Sequence, residues 1–245
     1  MNCIDQVVTD SYTAIHGDCV EALKGLPDAC IGYSIFSPPF ASLYTYSNSP
    51  RDMGNVRNDA EFFEHFDFLI AELHRVLKPG RSVSFHCMDL PSSKERDGVI
   101  GLKDFPGDLL RAFQRHGFIF HSKTTIWKDP VTAMQRTKAL GLLHKSVREN
   151  AAMCRQAIPD YLITVRNPGE CERVTHTPDE YPVDLWQKVA SPVWMDINQS
   201  RTLNFQAARD DNLAARAMGI NPQVQQMVAL LVSVVIVAIA ASLRV

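Results

Sequence analysis

The chain has 245 residues, a formal net charge of −2 and 46% hydrophobic residues. That length is enough for one large core, and the near-neutral balance excludes the global basic signature of a general nucleic-acid binder. Six scattered cysteines form no C-x-x-C pair, so neither a zinc site nor a disulfide framework is indicated, and no metal is expected. A reduced, cytoplasmic setting is expected, and the N-terminus carries no apolar signal stretch.

Taken in chain order, residues 15–90 read as βαβ material. Gly17 closes a candidate strand, and Asp18 precedes a short amphipathic helix over 19–25 that Leu26-Pro27-Asp28 ends. Asp is a preferred N-cap residue. Residues 31–36 read as a short buried strand. Residues 41–58 are polar and turn-rich, and such a length without apolar periodicity points to a functional loop over a site. Over 59–77, Phe62, Phe63, Phe66, Ile70, Leu73 and Leu77 recur at helical spacing. Lys78-Pro79-Gly80 is a strong stop signal. A strand over 82–88, a helix over 106–116 closed by Gly117, and a strand over 118–127 follow. The alternation predicts an α/β fold: a mostly parallel sheet with helices on both faces.

Residues 128–185 break this pattern. They contain a helical stretch from about 131 to 156 and an expected strand over Tyr161–Val165. Between Lys123 and Arg173 stand nine Lys/Arg against five Asp/Glu, a local excess that suits either a solvated face or a phosphate-binding one. Residues 186–212 are expected to return to the core. Residues 213–245 form an atypical tail in which 227–243 holds two Ser and no charge. A spanning helix needs roughly 20 apolar residues, with about 17 as the lower limit, so the tail is read as either a membrane anchor or a buried helix.

Ser37-Pro38-Pro39-Phe40 stands at the end of the 31–36 strand. In open α/β sheets, ligands bind in the crevice outside the carboxyl ends of strands. Two prolines fix φ and remove two backbone donors. The result is a stiff turn with unclaimed carbonyls, a small hydroxyl and a ring. Such a group can accept hydrogen bonds from a planar amino group while the ring stacks on the base that carries it. A plain strand-to-loop turn is the alternative.

The tetrapeptide, the upstream run Ile15-His16-Gly17-Asp18-Cys19-Val20-Glu21-Ala22-Leu23 and the downstream run Leu69 to Gly80 together resemble the amino-methyltransferases of DNA. Their order is similar to the permuted class, in which the catalytic motif comes early and the cofactor motif late. Trp127-Lys128-Asp129-Pro130 and Met134-Gln135-Arg136-Thr137-Lys138-Ala139-Leu140-Gly141 are most similar to phage and prophage members. The resemblance covers residues 12 to 212. It implies an incomplete Rossmann-like methyltransferase sheet with an inserted DNA-contacting region at 128–185, and methyl transfer from S-adenosylmethionine to cytosine N4 or adenine N6 of double-stranded DNA.

By this resemblance, the Ser37 oxygen and the Pro38 carbonyl accept the two amino hydrogens, Pro39 holds the geometry, and Phe40 stacks on a base flipped out of the duplex. Asp18 is expected near the adenine or ribose of the cofactor, or to act as a helix cap, or both. Arg51, Arg57, Lys128, Arg136, Lys138, Lys145, Arg148 and Arg155 are candidate phosphate contacts, which position a protein without specifying sequence. Trp127 and Trp194 are read as core residues. Glu72, His74 and His86 belong to no constellation and are read as structural. A leading Ser rather than Asp leans toward cytosine N4.

The resemblance departs from the class after residue 212. The expected His-x-Cys-Pro-x-Gln segment and the Phe-x-Gly-x-Gly strand end are absent, and with them the principal cofactor loop. A truncation or frameshift, a tail-anchored variant and a divergent cofactor site are the readings of this departure. A non-catalytic DNA-binding remnant is the alternative function, ahead of a tail-anchored membrane protein. A methyltransferase of RNA or of a small molecule stays open as well.

Overall fold

The computed structural model describes residues 3–10, 12–41, 51–92, 94–131, 144–149, 158–173 and 175–197. Arg136, Lys138, Arg155 and the 213–245 tail lie outside them, as does most of the expected 131–156 helix. The elements are β1 (Asp5–Val8), β2 (Thr13–His16), α1 (Cys19–Lys24), β3 (Ile31–Phe36), a 3-10 turn (Met53–Asn55), α2 (Asp59–Val76), β4 (Leu77–Met88), β5 (Leu90–Ser92), α3 (Lys94–Asp97), β6 (Gly101–Lys103), α4 (Phe105–Arg115), β7 (Ile119–Ile126), α5 (His144–Arg148), β8 (Asp160–Arg166), α6 (Val183–Val189) and β9 (Val193–Trp194).

Local chemistry explains where α2 begins and what it buries. Asn58 caps it by accepting from the Glu61 N–H at 2.9 Å, and the Glu61 carboxylate reaches back to the Arg57 N–H at 2.6 Å. This reciprocal satisfaction of orphan donors is capping-box chemistry displaced by one residue. Phe62, Phe66, Leu69, Ile70, Leu73 and Val76 form its buried face. Phe62 and Phe66 stack at 5.5 Å, and Phe66 meets Phe113 of α4 edge-on at 5.9 Å. Phe113 in turn stacks on Phe85 of β4 at 4.8 Å. Burying side chains of this size contributes on the order of 1.5–3 kcal/mol each.

The main sheet has the order β3-β4-β8-β7-β9. β3 and β4 are parallel, as are β7 and β9, while β8 runs antiparallel to both β4 and β7. Four strands therefore run one way and one is reversed. Two expectations are corrected here. The 160–166 strand, read as part of the 128–185 insertion, sits at the centre of the main sheet, between β4 and β7. The candidate strand before Asp18 is β2, which pairs with β1 in a separate hairpin, so the βαβ unit of the main sheet is β3-α2-β4.

A third correction concerns the helical layers. Among the described residues, α2 and α4 pack on the same face of the sheet. The alternation along β4 supplies the reason: Val83, Phe85 and Cys87 are fully buried on the helix side, whereas Ser82, Ser84 and His86 point the other way. Ser84 Oγ lies 2.7 Å from Thr164 Oγ1 across the strands. A face so polar offers a helix little to pack against.

At the amino end of β4, the chain leaves α2 directly into the strand through Lys78-Pro79-Gly80. Gly80 has φ +71 and donates its N–H to the Asn167 carbonyl at 3.1 Å. Asn167, buried, answers with its own N–H to the Arg81 carbonyl at 2.8 Å and its side-chain amide to the Leu77 carbonyl at 2.9 Å. Arg75 ties α1 to α2 in a similar way, donating to the carbonyls of Leu23 and Leu26 at 2.9 Å each and to Glu72 and Asp28.

Candidate active site

The tetrapeptide leaves the carboxyl end of β3. Ser37 is exposed, Pro38 is buried, and Pro39 and Phe40 are half-buried. Ala41 then takes φ +47 while fully packed. A non-glycine residue in this region costs about 1–2 kcal/mol and persists only where the surroundings over-determine it. The Phe40 ring is wedged between His86, at 6.0 Å, and Phe105, edge-on at 6.4 Å. One part of the ring is anchored to the core and another part is free.

The structure adds two residues that sequence reasoning left aside. Ser37 Oγ lies 3.2 Å from His86 Nδ1, and His86 Nε2 lies 3.1 Å from Asp160 Oδ2. The other Asp160 oxygen accepts from the Lys128 ammonium. All four side chains stand at one end of the sheet. Ser37 follows β3, His86 is near the end of β4, Lys128 follows β7, and Asp160 opens the reversed β8 with Met88 and Ile126 as its register partners. Burial pushes the Asp160 carboxyl up, but the bonds from His86 and Lys128 outweigh it and hold it below the usual carboxylate range. His86 was read as structural and is not isolated. The only signal for it in the sequence is its place near the end of an apolar strand.

Lys128, expected on a phosphate, has its charge balanced by Asp160. Asp18 caps α1, accepting from the N–H groups of Val20 and Glu21 at 2.9 and 3.2 Å through one oxygen. Its second oxygen faces Arg51 at 3.4 Å, and Arg51 also lies 3.8 Å from Glu21. The structure thus brings together Asp18 and a residue of the loop that follows the tetrapeptide. Arg57 is exposed, as are Lys145 and Arg148, the latter 3.6 Å from Glu149. Trp127 is 42% exposed and Trp194 half-buried. The core reading of Trp127 is corrected: it lies beyond the end of β7, where its N–H donates to the Trp194 carbonyl and its ring stays open to solvent.

Glu72 and His74 are structural. Glu72 holds Arg75, and His74 meets Phe118 edge-on at 5.3 Å. Burial pushes the Cys19 thiol up to about 11, with the Asp18 charge adding to it, and the Cys87 thiol up to about 12. Neither thiol is set up as a nucleophile. Among the described residues no group of three His, Cys, Asp or Glu could hold a metal ion, and no helix is long and apolar enough to cross a membrane. Surface depressions by Asp59, Phe63 and Arg111 and by Tyr33, Ser84 and Thr164 do not include the tetrapeptide.

No protein-family profile and no curated protein sequence matches this chain. Solved structures do match. A Thermus thermophilus protein described as a candidate DNA modification methylase is 18% identical with a TM-score of 0.54, over 79% of this chain and 72% of that one. The same protein complexed with S-adenosyl-L-methionine matches at 18% identity and a TM-score of 0.53, over the same shares. PvuII DNA methyltransferase, cytosine-N4-specific, is more distant, at 15% identity and a TM-score of 0.48 over 84% of this chain and 62% of that one. At these identities the Thermus likeness establishes the fold alone: a Rossmann-like α/β architecture with a central mixed sheet.

Proposed function

We propose that this chain is an S-adenosylmethionine-dependent methyltransferase of the permuted class, acting on an exocyclic amino group of double-stranded DNA, cytosine N4 or adenine N6. The observation that carries the reading is the placement of Ser37-Pro38-Pro39-Phe40 at the carboxyl end of β3 within a methyltransferase fold. An exocyclic amino nitrogen is a poor nucleophile because its lone pair is delocalised into the ring. Ser37 Oγ and the Pro38 carbonyl accept its two hydrogens, which concentrates electron density on nitrogen. Phe40, held from behind by Phe105, presents its free part to the flipped base. The rest is positioning.

The cofactor supplies an electrophilic methyl on a sulfonium. Asp18 fits one half of that group: its Oδ2, engaged by a single long contact to Arg51, can accept ribose hydroxyls. The glycine-bearing loop typical of the class has no counterpart in this sequence, so the methionine half is assigned no residue. Arg51, Arg57, Lys145 and Arg148 are the described candidates for DNA phosphates. Lys128 is assigned instead to Asp160.

The test is incubation of the chain with labelled S-adenosylmethionine and mixed-sequence duplex DNA, followed by mass spectrometry of the nucleosides. N4-methylcytosine or N6-methyladenine, lost by at least about 100-fold in Ser37→Ala or Phe40→Ala, is the expected result. Absence of methylated base with the wild-type chain overturns the reading. Salt-sensitive DNA binding without transfer would then favour a non-catalytic remnant.

A further inference from the structure

We propose that His86, held by Asp160, is a positioning residue that aims the Ser37 hydroxyl, an inference that rests on the amino-methyltransferase reading above. A Ser hydroxyl has one proton and two lone pairs. If it is to accept from a substrate amino group, its own proton must point elsewhere. His86 Nδ1 offers the place at 3.2 Å, and the His86 carbonyl, at 3.3 Å, is a second acceptor on the same residue. Asp160 decides which face the ring presents. An ionised carboxylate can only accept, so Nε2 at 3.1 Å must donate to it. A neutral imidazole with its proton on Nε2 has a bare Nδ1, and that nitrogen takes the Ser37 proton. Lys128 on the other Asp160 oxygen keeps the carboxylate in its charged, accepting form.

This chain of side chains is laid out differently from the one that activates a serine nucleophile. There the serine meets Nε2 and the carboxylate meets Nδ1, the reverse of the order here. An oxyanion site built on the residues after the serine also needs backbone N–H groups, and Pro38 and Pro39 have none. The arrangement is suited to holding a hydroxyl still while it accepts a hydrogen bond.

Two measurements test the inference. In the ¹⁵N spectrum of histidine-labelled protein at neutral pH, His86 is expected as the Nε2–H tautomer, with an Nδ1 resonance that moves in Ser37→Ala. An Nδ1–H tautomer, or an Nδ1 signal indifferent to Ser37→Ala, overturns the proposal whether or not the chain methylates DNA. In the transfer assay, His86→Gln is expected to lower kcat roughly tenfold, with KM for DNA and cofactor unchanged. His86→Asn, whose amide oxygen can stand where Nδ1 stood, is expected to recover most of that loss. The double variant Ser37→Ala/His86→Gln should be no slower than Ser37→Ala alone. Additive losses, or His86→Gln at wild-type kcat, overturn the proposal. A wild-type chain that transfers no methyl overturns the parent reading, and the tautomer measurement still judges the Ser37–His86–Asp160 arrangement.

Discussion

At its amino end, β4 is tied down by backbone. Gly80, Arg81 and Leu77 exchange hydrogen bonds with Asn167, and Gly169 at φ +107 packs so close to Pro79 that an added Cβ would come within 2.8 Å of the proline ring. At its carboxyl end the same strand ends in partly buried side chains that face one another: His86 toward Ser37 and Asp160, with Lys128 behind. One end buries and satisfies its polar groups with main-chain partners. The other displays ionisable groups on a rigid frame. The lesson is a division of labour along one strand, in which substitutions at the amino end should change stability and those at the carboxyl end should change chemistry.

The strongest attempt to break this contrast is Gly80→Ala. The left-handed backbone costs about 1–2 kcal/mol for a residue with a Cβ, and that Cβ would stand 2.8 Å from the Cys171 nitrogen, which is backbone and cannot swing aside. A loss of about 2–3 kcal/mol in urea denaturation is expected, with kcat unchanged where the protein remains folded. Asn167→Ala should follow at about 1–3 kcal/mol, because it leaves the Leu77 carbonyl without its buried donor. If either variant lowers kcat in proportion to its stability loss, the two ends are coupled and the contrast fails.

Asp160→Asn sharpens the comparison from the other end. The folded carboxyl is depressed, so its stabilisation is fully present above the carboxylate range of the unfolded chain. It is lost as pH falls through the lower folded value. The wild type should therefore lose stability on acidification through and below that range, and Asp160→Asn should show a flatter acid limb in denaturation curves. An unchanged limb would mean that the carboxylate is not held by His86 and Lys128. The smallest effect is expected at Ser34, on β3 just before the tetrapeptide. Its buried hydroxyl has no hydrogen-bond partner among the described residues. Ser34→Ala should lie within about 0.5 kcal/mol of wild type or be more stable. A clear destabilisation would reveal a role for that hydroxyl.

Local pattern carried a good deal of this molecule. The period of Phe62, Phe66, Ile70 and Leu73 is enough to place α2, the Lys78-Pro79-Gly80 stop falls within two residues of its end, and two prolines after an apolar run mark the tetrapeptide as a stiff turn. These features depend on neighbours in the chain, and steric and periodic rules act at that range. The strand at 160–166 is legible as a strand for the same reason, but its place between β4 and β7 is not. Which strand pairs with which is settled by long-range burial and register, and nothing around Asp160 announces that it will close against β4. That pairing alone sets Asp160 beside His86. The parallel pairing of β3 with β4 sets His86 beside Ser37, 49 residues away in the chain. The residues proposed to meet a substrate could be named from the sequence. Those that aim them depend on contacts made only when distant strands come together.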